Sequence, residues 1–262
     1  MDPTADIHAT AFVEDGARIG ARVRIGPFSL IGAGVSLAED VEIKSHVVVT
    51  GQTSIGAGTV VFSFAVLGEI PQDKKFAGEK TRLEIGARNR IREHVTMNTG
   101  TDGGGGVTRI GDDGLFMAGC HIAHDAQIAN KVIVVNSAAI AGHCVLEDEV
   151  IVGGLVGVHQ FVRIGRGAII GALSMVTADV LPHGLVQGPR GALTGLNLVG
   201  LKRRGVARAD ITALRAALMA LKDGEGSFQD RAARLTEETD SPYVREMAEF
   251  VLASSDRGFL TP

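Results

Sequence analysis

The chain has 262 residues, of which 45% are hydrophobic, so we expect one large core or two modest domains. Only 4% are aromatic, so we do not expect a core built on large aromatic side chains. Its 26 Lys and Arg residues are balanced by 30 Asp and Glu residues, which argues against a nucleic-acid-binding protein. No stretch is apolar enough for a membrane span and the N-terminus lacks the features of a secretory signal, so we expect a cytoplasmic protein.

A six-residue repeat begins near the N-terminus. Aliphatic residues recur at every sixth position from Ile7 to Leu67, then from Ile85 to Met97 and from Ile110 to Val176, and 24 of these 26 positions are Ile, Val or Leu. The fifth place of each hexad is small or β-branched. This pattern predicts an all-β solenoid, a parallel β-helix in which three hexads form one 18-residue coil. Gly often follows the aliphatic residue, and we expect it to supply the φ that turns a corner.

Two segments interrupt the repeat, at about 68–84 and 98–109. An insertion in a solenoid must loop out from one face, and such faces are often binding faces. The second segment contains four consecutive glycines at 103–106 but lacks the Lys-Ser/Thr of a phosphate loop, which favours a flexible connection.

Two cysteines, Cys120 and Cys144, occupy fifth places of hexads, where a small apolar side chain is required. We therefore predict buried structural thiols, which fits a reducing compartment.

The repeat ends at Pro182, and the remaining sequence is typical of helices. Apolar residues at 211, 214, 218 and 221 follow helical spacing before Gly224, and Ser241-Pro242 reads as an N-cap followed by a first helical proline. We predict a β-helix domain over 1–189 and a small C-terminal α-helical domain over 190–262.

Four of the eight histidines fall in the second part of the solenoid: His121, His124, His143 and His159. In an 18-residue coil, Gly142 and then Gln160 stack on His124, so the other histidines lie near one column. An imidazole near its ordinary pKa can take a proton from a hydroxyl, and the uncovered N–H of a glycine can stabilise an oxyanion. The column therefore predicts direct acyl transfer without an acyl-enzyme.

The residue after His124 is Asp125, but neighbours on a strand point to opposite faces, so direct pairing requires a turn at this site. We expect His124 to point outward from the solenoid. Exposed polar histidines without a catalytic role are the alternative interpretation, which the clustering of four histidines near one column disfavours. Zinc binding, as in the γ-type carbonic anhydrases, is disfavoured because that class uses a His-x4-His pair, whereas here the close pair is His121-Ile-Ala-His124.

Several segments together resemble the UDP-N-acetylglucosamine O-acyltransferase family of lipid A biosynthesis. They are IGPF (25–28), KSHVVV (44–49), AGEKTRLEIG (77–86), RNRIRE (88–93), HIAHD (121–125), AGH (141–143), VHQF (158–161) and GLKRRG (200–205). The resemblance covers essentially the whole chain. It implies a homotrimer of left-handed β-helices that moves an (R)-3-hydroxyacyl group from acyl carrier protein to the sugar 3-position, with active sites between subunits and no metal cofactor.

The resemblance also implies roles for individual residues. His124 would be the general base, Asp125 would orient it, and the Gly142 N–H would meet the oxyanion. His121, His143, His159 and Gln160 would line the site. Contacts to the sugar or the acyl hydroxyl would come from Gln72, Asp73 and Lys75, and the nucleotide would be held by Asn197, Arg203 and Arg204. The cation run at 202–204 reads either as a solvated helix end or as a docking site for pyrophosphate or the acidic carrier protein.

A residue that matches Ala172 sets the acyl chain length in this family. Asn136, Gly154 and Ala172 all occupy the third place of their hexads and should stack on a different face of the prism from His124, with Met175 nearby. One extra methyl at Ala172, compared with the glycine that permits longer chains, predicts a donor of about ten to twelve carbons.

Three positions depart from the family pattern: Asn98, Arg190 and Val199. Val199 removes an acceptor at the ribose contact and Asn98 changes a polar group close to the sugar site. The 3-amino analogue of the sugar, which would give an amide, stays open as the acceptor. A different hexapeptide-repeat acyltransferase and a non-catalytic β-helical scaffold also stay open as functions. The sibling N-acyltransferase has an extra N-terminal domain, which is not expected here because the hexads begin at Ile7.

Overall fold

The computed structural model describes residues 1–261, and the solenoid in it is a left-handed parallel β-helix, as predicted. Successive coils pair residues 18 apart, as in Asp6 with Arg24. The first insertion stretches this offset to 30 between Val60 and Arg90, and the second to 25 between Arg90 and Leu115. The 18-residue coil of the prediction is confirmed, and the insertions are accommodated without losing the register.

The prism has three faces, and residues 1–261 contribute 11, 9 and 8 strands to them. The first face is formed by β1 (Asp6–Ile7), β4 (Arg24–Ile25), β7 (Glu42–Ile43), β10 (Val60–Val61), β13 (Arg90–Ile91), β16 (Leu115–Phe116), β19 (Ile133–Val134), β22 (Ile151–Val152), β25 (Ile169–Ile170), β27 (Gly184–Gln187) and β28 (Ala192–Leu196).

The second face is formed by β2 (Phe12–Val13), β5 (Leu30–Ile31), β8 (Val48–Val49), β11 (Val66–Glu69), β14 (Thr96–Asn98), β17 (His121–Ile122), β20 (Ala139–Ile140), β23 (Gly157–Val158) and β26 (Met175–Val176). The third is formed by β3 (Arg18–Ile19), β6 (Ser36–Leu37), β9 (Gln52–Ile55), β12 (Arg82–Ile85), β15 (Val107–Ile110), β18 (Gln127–Ile128), β21 (Val145–Leu146) and β24 (Arg163–Ile164).

The core is the column of repeat aliphatics. All 26 predicted positions are buried except Ile7 and Val13, which are half-buried in the first coil. Cys120 and Cys144 are fully buried, as predicted, and burial raises the pKa of each thiol to about 12. Both thiols are therefore protonated and apolar at neutral pH.

The predicted role of the repeat glycines is wrong. Gly20 and Gly26 have ordinary φ, but a Cβ on either would lie within 2.9 Å of the backbone of the next coil. The left-handed φ falls three residues after the aliphatic, as at Arg22 (55°) and Phe28 (58°). Glycine is thus favoured beside the aliphatic because the coils approach closely there, and non-glycine residues carry the strained corner.

The two inserted loops are shorter than predicted. They span 70–81, between β11 and β12, and 99–106, between β14 and β15. Leu83, Val107 and Thr108 belong to strands and are buried, because β12 and β15 are longer than the usual two residues and pair along their full length.

Beyond the solenoid lie α1 (Leu198–Arg203), α2 (Arg208–Asp223), α3 (Phe228–Glu238) and α4 (Pro242–Leu252). The predicted helices correspond to α2, which is capped at Gly224, and α4, which begins with Ser241-Pro242. Sequence analysis missed α3, although Ser227 and Asp230 form a capping box, and the β27–β28 hairpin. Strand β28 begins after residue 189, yet it pairs with β27 and so belongs to the first face of the solenoid. The domain boundary at 189 therefore stays a prediction. Within residues 1–261, no helix has the length and apolarity that a bilayer crossing requires.

Candidate active site

The centre of the site is a hydrogen-bonded pair at the corner between β17 and β18. Asp125 adopts a left-handed φ of 59°, which supplies the turn that pairing with its neighbour requires. Nδ1 of His124 donates to Oδ2 of Asp125 at 2.8 Å. With the proton on Nδ1, the Nε2 atom of the neutral ring carries a free lone pair. The pair can therefore act as an oriented general base.

His124 is less accessible than an outward position on a strand implies. It lines a cavity of about 280 Å³, but only 5% of the residue is exposed. The other walls of this cavity include Gln72, His121, Gly142 and Gln160. The predicted column of His124, Gly142 and Gln160 thus lines one cavity, and Gln72 of the first insertion lines the same cavity.

Gly142 has a packing reason to be glycine. A Cβ there would lie 2.5 Å from Cε1 and 2.7 Å from Nε2 of His124, so any side chain would displace the imidazole. Within residues 1–261 the Gly142 N–H donates no hydrogen bond. It is a free backbone donor beside the unprotonated nitrogen of His124, the arrangement that stabilises an oxyanion as a proton is removed.

Asp125 is held by the second insertion, a feature that sequence analysis missed. Thr101 donates to it twice, through its hydroxyl to Oδ2 at 2.6 Å and through its backbone N–H to Oδ1 at 2.9 Å. The Asp125 N–H in turn donates to the Thr108 hydroxyl at 2.8 Å. These contacts leave only 3% of Asp125 exposed. Thr101 therefore holds both carboxylate oxygens and Thr108 holds the backbone, so the Asp125 side chain that contacts His124 is ordered.

The glycines of this insertion pack against the same carboxylate. A Cβ on Gly104 would lie 2.1 Å from the Asp125 carboxyl carbon, and one on Gly100 would lie 2.7 Å from its Oδ1. Asp102–Gly104 form a turn of 3-10 helix. The prediction of a merely flexible connection missed this close packing, which requires glycine at Gly100 and Gly104.

His143 packs beside the pair, at the same corner and one coil further along the solenoid. Its ring stacks on Phe161 at 4.5 Å, meets His124 edge-on at 5.0 Å, and its Nδ1 lies 3.8 Å from Oδ2 of Asp125. Burial lowers the pKa of His143 below its usual value, although the Asp125 charge opposes the shift. Burial likewise lowers the pKa of His121, which contacts Thr96 Oγ1 at 2.8 Å. Both rings are therefore predominantly neutral at pH 7.

The two insertions meet above His143. A second cavity, of about 300 Å³, is lined by Asp73 and Lys75 of the first insertion and by Thr101 of the second. His143 and Phe161 form its floor. Asp73 and Lys75 thus lie near His143, and Gln72 lies near His121 and His124; we call these three histidines the histidine cluster.

His159 lies at the exposed rim and does not line either cavity among residues 1–261. Its Nδ1 accepts from Arg257 at 2.6 Å, and Arg257 Nε donates to the Gln160 carbonyl at 2.9 Å. The C-terminal segment that carries Arg257 is tied to the solenoid by buried Asp179, which accepts from the Leu260 N–H and the Ser255 hydroxyl. Sequence analysis missed Arg257 because it lies 98 residues from His159.

The predicted nucleotide-binding residues lie at a different corner. Asn197 caps α1 by accepting from Gly200 N and donates to the Gly167 carbonyl, so its amide is engaged in both directions. Arg204 pairs with Glu149 at 3.2 Å, while Arg203 is exposed. Within residues 1–261, none of the three lines the cavity at His124 or the cavity at His143. One chain does not bring them to the histidine cluster.

The predicted chain-length residues do stack at one corner. Leu155 N–H donates to the Asn136 carbonyl and Leu173 N–H to the Gly154 carbonyl, each at 3.0 Å, and Ala172 is exposed beside them. On the second face, β17, β20, β23 and β26 place in register the column His121, Ala139, Gly157 and Met175. Two small residues thus separate His121 from Met175.

The three family departures have distinct settings. Asn98 is buried, donates to the Ile70 carbonyl at 3.0 Å and so tethers the first insertion, and its Oδ1 has no partner among residues 1–261. Arg190 is exposed and pairs with Met175 in a β-bridge, which places it beside the chain-length residues. Val199 is 61% exposed on α1.

Comparison with known proteins gives a consistent set of similarities. The sequence model described as "Udp N-acetylglucosamine O-acyltransferase; Domain 2" matches residues 179–260, and the bacterial transferase hexapeptide model matches residues 16–51. An acyl-[acyl-carrier-protein]–UDP-N-acetylglucosamine O-acyltransferase of Paracoccus denitrificans is 72% identical over 203 residues, 78% of this chain and 77% of the relative. One of Rhizobium johnstonii is 48% identical over 260 residues, 99% of this chain and 96% of the relative.

Solved structures agree. The UDP-N-acetylglucosamine acyltransferase from Campylobacter jejuni superposes with a TM-score of 0.92 at 37% identity, covering 98% of this chain and 100% of that chain. The Francisella novicida enzyme superposes with a TM-score of 0.93 at 32% identity, covering 97% and 93%.

Proposed function

Because this chain belongs to the acyl-[acyl-carrier-protein]–UDP-N-acetylglucosamine O-acyltransferase family, we propose that it catalyses this transfer as the first step of lipid A biosynthesis. The (R)-3-hydroxyacyl group moves from acyl carrier protein to the 3-hydroxyl of UDP-N-acetylglucosamine. The observation that carries this proposal is the His124–Asp125 pair, in which Nδ1 is engaged and Nε2 is left free, and which shares one cavity with Gly142, whose N–H donates no hydrogen bond within residues 1–261.

The chemistry needs only these groups. Nε2 of His124 takes the proton of the sugar 3-hydroxyl as its oxygen attacks the thioester carbonyl, and Asp125 stabilises the imidazolium. The Gly142 N–H donates to the oxyanion of the tetrahedral intermediate. When the intermediate collapses, the C–S bond breaks and His124 returns the proton to the departing phosphopantetheine thiolate. No covalent enzyme intermediate and no metal cofactor is required.

The surrounding residues support the same assignment. Gln72, Asp73 and Lys75 of the first insertion would contact the hexosamine or the acyl hydroxyl, because they face the cavities that contain His124 and His143. His121 and Gln160 would complete the walls of the cavity at His124, and His159 would line the site from its exposed rim. The acyl chain would run from His121 toward Met175 and Ala172. On the way it would cross Ala139 and Gly157, which are small enough to leave a groove between His121 and Met175.

The proposal requires more than one copy of the chain. Asn197, Arg203 and Arg204 would hold the nucleotide, yet they lie at the corner of Gly167, whereas His124 lies at another corner of the prism. A homotrimer with sites between subunits would bring the two corners together. We place this trimer in the cytoplasm, where acyl carrier protein is the donor.

The acceptor atom is tested directly. Purified protein is incubated with UDP-N-acetylglucosamine or its 3-amino analogue and a panel of 3-hydroxyacyl carrier proteins, and the products are identified by mass spectrometry. We expect an ester of UDP-N-acetylglucosamine, in line with the O-acyltransferase names of the relatives. Amide formation from the analogue without ester formation would overturn the proposed acceptor.

A further inference from the structure

Three side chains of the site offer metal-ligating atoms that converge. His124, Asp125 and His143 each contribute one such atom, and these atoms lie within 4.8 Å of one another. Oδ2 of Asp125 is the common centre, at 2.8 Å from Nδ1 of His124 and 3.8 Å from Nδ1 of His143. Each separation is near the spacing of two ligands on one ion, given metal–ligand bonds of about 2.0–2.2 Å.

The donor set favours a particular class of ion. Two imidazoles and one carboxylate suit zinc, cobalt and copper, whereas magnesium and calcium prefer oxygen ligands. His124 and Asp125 are buried and His143 is half-buried, so the ligands are already ordered. Asp73 and Lys75, which face the adjoining cavity, carry opposite charges and add no net repulsion toward a cation.

The site also has the supporting contacts that metal ligands commonly have. The Thr101 hydroxyl and N–H hold the two oxygens of Asp125, and Phe161 stacks on the His143 ring. Hydrogen bonds of this kind orient a ligating carboxylate and contribute to metal affinity. The cavities on either side leave room for water as a further ligand.

We infer that His124, Asp125 and His143 form an inhibitory binding site for a divalent first-row transition metal ion, with zinc as the natural candidate. The ion would bind Nδ1 of His124, an atom that carries a proton in the free pair. The proton of a neutral ring must then reside on Nε2, so Nε2 can no longer accept a proton from a substrate hydroxyl. Binding stands on the geometry alone, while inhibition rests on the proposed function of His124.

Cobalt(II) alone is the probe, because its visible absorption reports nitrogen and oxygen coordination in the absence of substrate. We expect one Co²⁺ per chain, displaced by ZnCl2. Affinity should fall by about tenfold or more in His143→Gln and in Asp125→Asn, and by about tenfold in Thr101→Val, which removes a supporting contact. His159→Gln, a histidine outside the trio, is the matched control and should bind Co²⁺ as the wild type does. Circular dichroism establishes that each variant is folded.

The inference is overturned if no visible absorption band of bound Co²⁺ appears in the wild type. It is also overturned if that band survives in the double variant that combines His124→Gln with His143→Gln. In the acyl-transfer assay, ZnCl2 should abolish turnover over the concentration range in which it displaces Co²⁺. Stoichiometric binding with unchanged turnover would overturn the inhibitory role and count against His124 as the base. Protein that binds Co²⁺ but transfers no acyl group to any acceptor would instead overturn the proposed function and leave the metal site standing.

Discussion

Thr101 and His124 donate to the same oxygen of Asp125. Oδ2 accepts from the Thr101 hydroxyl at 2.6 Å and from Nδ1 of His124 at 2.8 Å. The second insertion is therefore joined directly to the candidate base through one atom. This geometry makes Thr101 a positioning residue, because it contacts the orienting carboxylate and acts on His124 only through it.

Replacing Thr101 by Val removes one donor to a charged group at almost constant volume. Such hydrogen bonds contribute about 1.5–3 kcal/mol, so we expect kcat to fall about 10- to 100-fold while KM changes little. Thr101→Ser should restore most of the rate. Thr96→Val, which removes a hydroxyl from His121 instead, is the matched control. A rise in KM with unchanged kcat, or no rescue by Ser, would contradict the positioning role.

His124→Ala should lower the rate of the chemical step by about 10²- to 10⁴-fold, the usual effect of losing a general base. Single-turnover kinetics with acyl carrier protein substrates measures this step, and circular dichroism checks the fold. His159→Ala, at the exposed rim, should have a smaller effect. A His124→Ala protein that keeps more than about a tenth of the wild-type rate, with chemistry limiting, would show that another group is the base.

Activity should survive exhaustive chelation, because the proposed mechanism uses only an imidazole, a carboxylate and a backbone N–H. Turnover is measured before and after dialysis against chelator, with metal content determined in parallel. A preparation that contains zinc should gain activity on dialysis if the ion occupies the inhibitory site. Loss of activity that zinc restores would point instead to a metal-dependent enzyme.

Ala172→Gly should shift the donor preference toward longer chains. An excluded methylene loses about 0.8 kcal/mol of burial, and forcing it into a filled groove adds about 1–3 kcal/mol of strain. Two extra carbons are then disfavoured by about 10²- to 10³-fold in the wild type, which should prefer about ten to twelve carbons. kcat/KM is measured across a series of acyl carrier proteins. Ala21→Gly is the control, because Ala21 lies between β3 and β4 and precedes a left-handed corner residue just as Ala172 does. A wild-type preference for fourteen carbons, or an unchanged profile in the variant, would rule out this role for Ala172.

Stability should depend on pH through the half-buried His143. Burial lowers its pKa below the ordinary 6.5, so the unfolded chain binds a proton more readily than the folded one. The contribution is fully present above pH 6.5 and is lost as the pH falls toward the lowered folded-state pKa. Urea unfolding at pH 7.5 and pH 5 should therefore show a smaller loss of stability in His143→Asn than in the wild type. Equal losses in the two proteins would contradict the shift.

The amino-acid sequence by itself determined the solenoid. The period-six pattern is local and each coil contacts only its neighbours, so the register follows from residue spacing alone. Asp6 pairs with Arg24 as the 18-residue rule requires, and the same rule places Gly142 next to His124. The helices α2 and α4 were likewise predictable from their caps and apolar spacing.

Only the tertiary structure decided what surrounds the column of His124, Gly142 and Gln160. The insertions have no period, so nothing in their sequence specifies that Thr101 reaches Asp125 or that Gly104 packs on its carboxylate. Arg257 reaches His159 across 98 residues because Asp179 anchors the C-terminal segment, a contact between unlike elements that no repeat encodes. Periodic contacts can be predicted from a single coil, whereas these depend on how aperiodic segments fold back onto the completed prism.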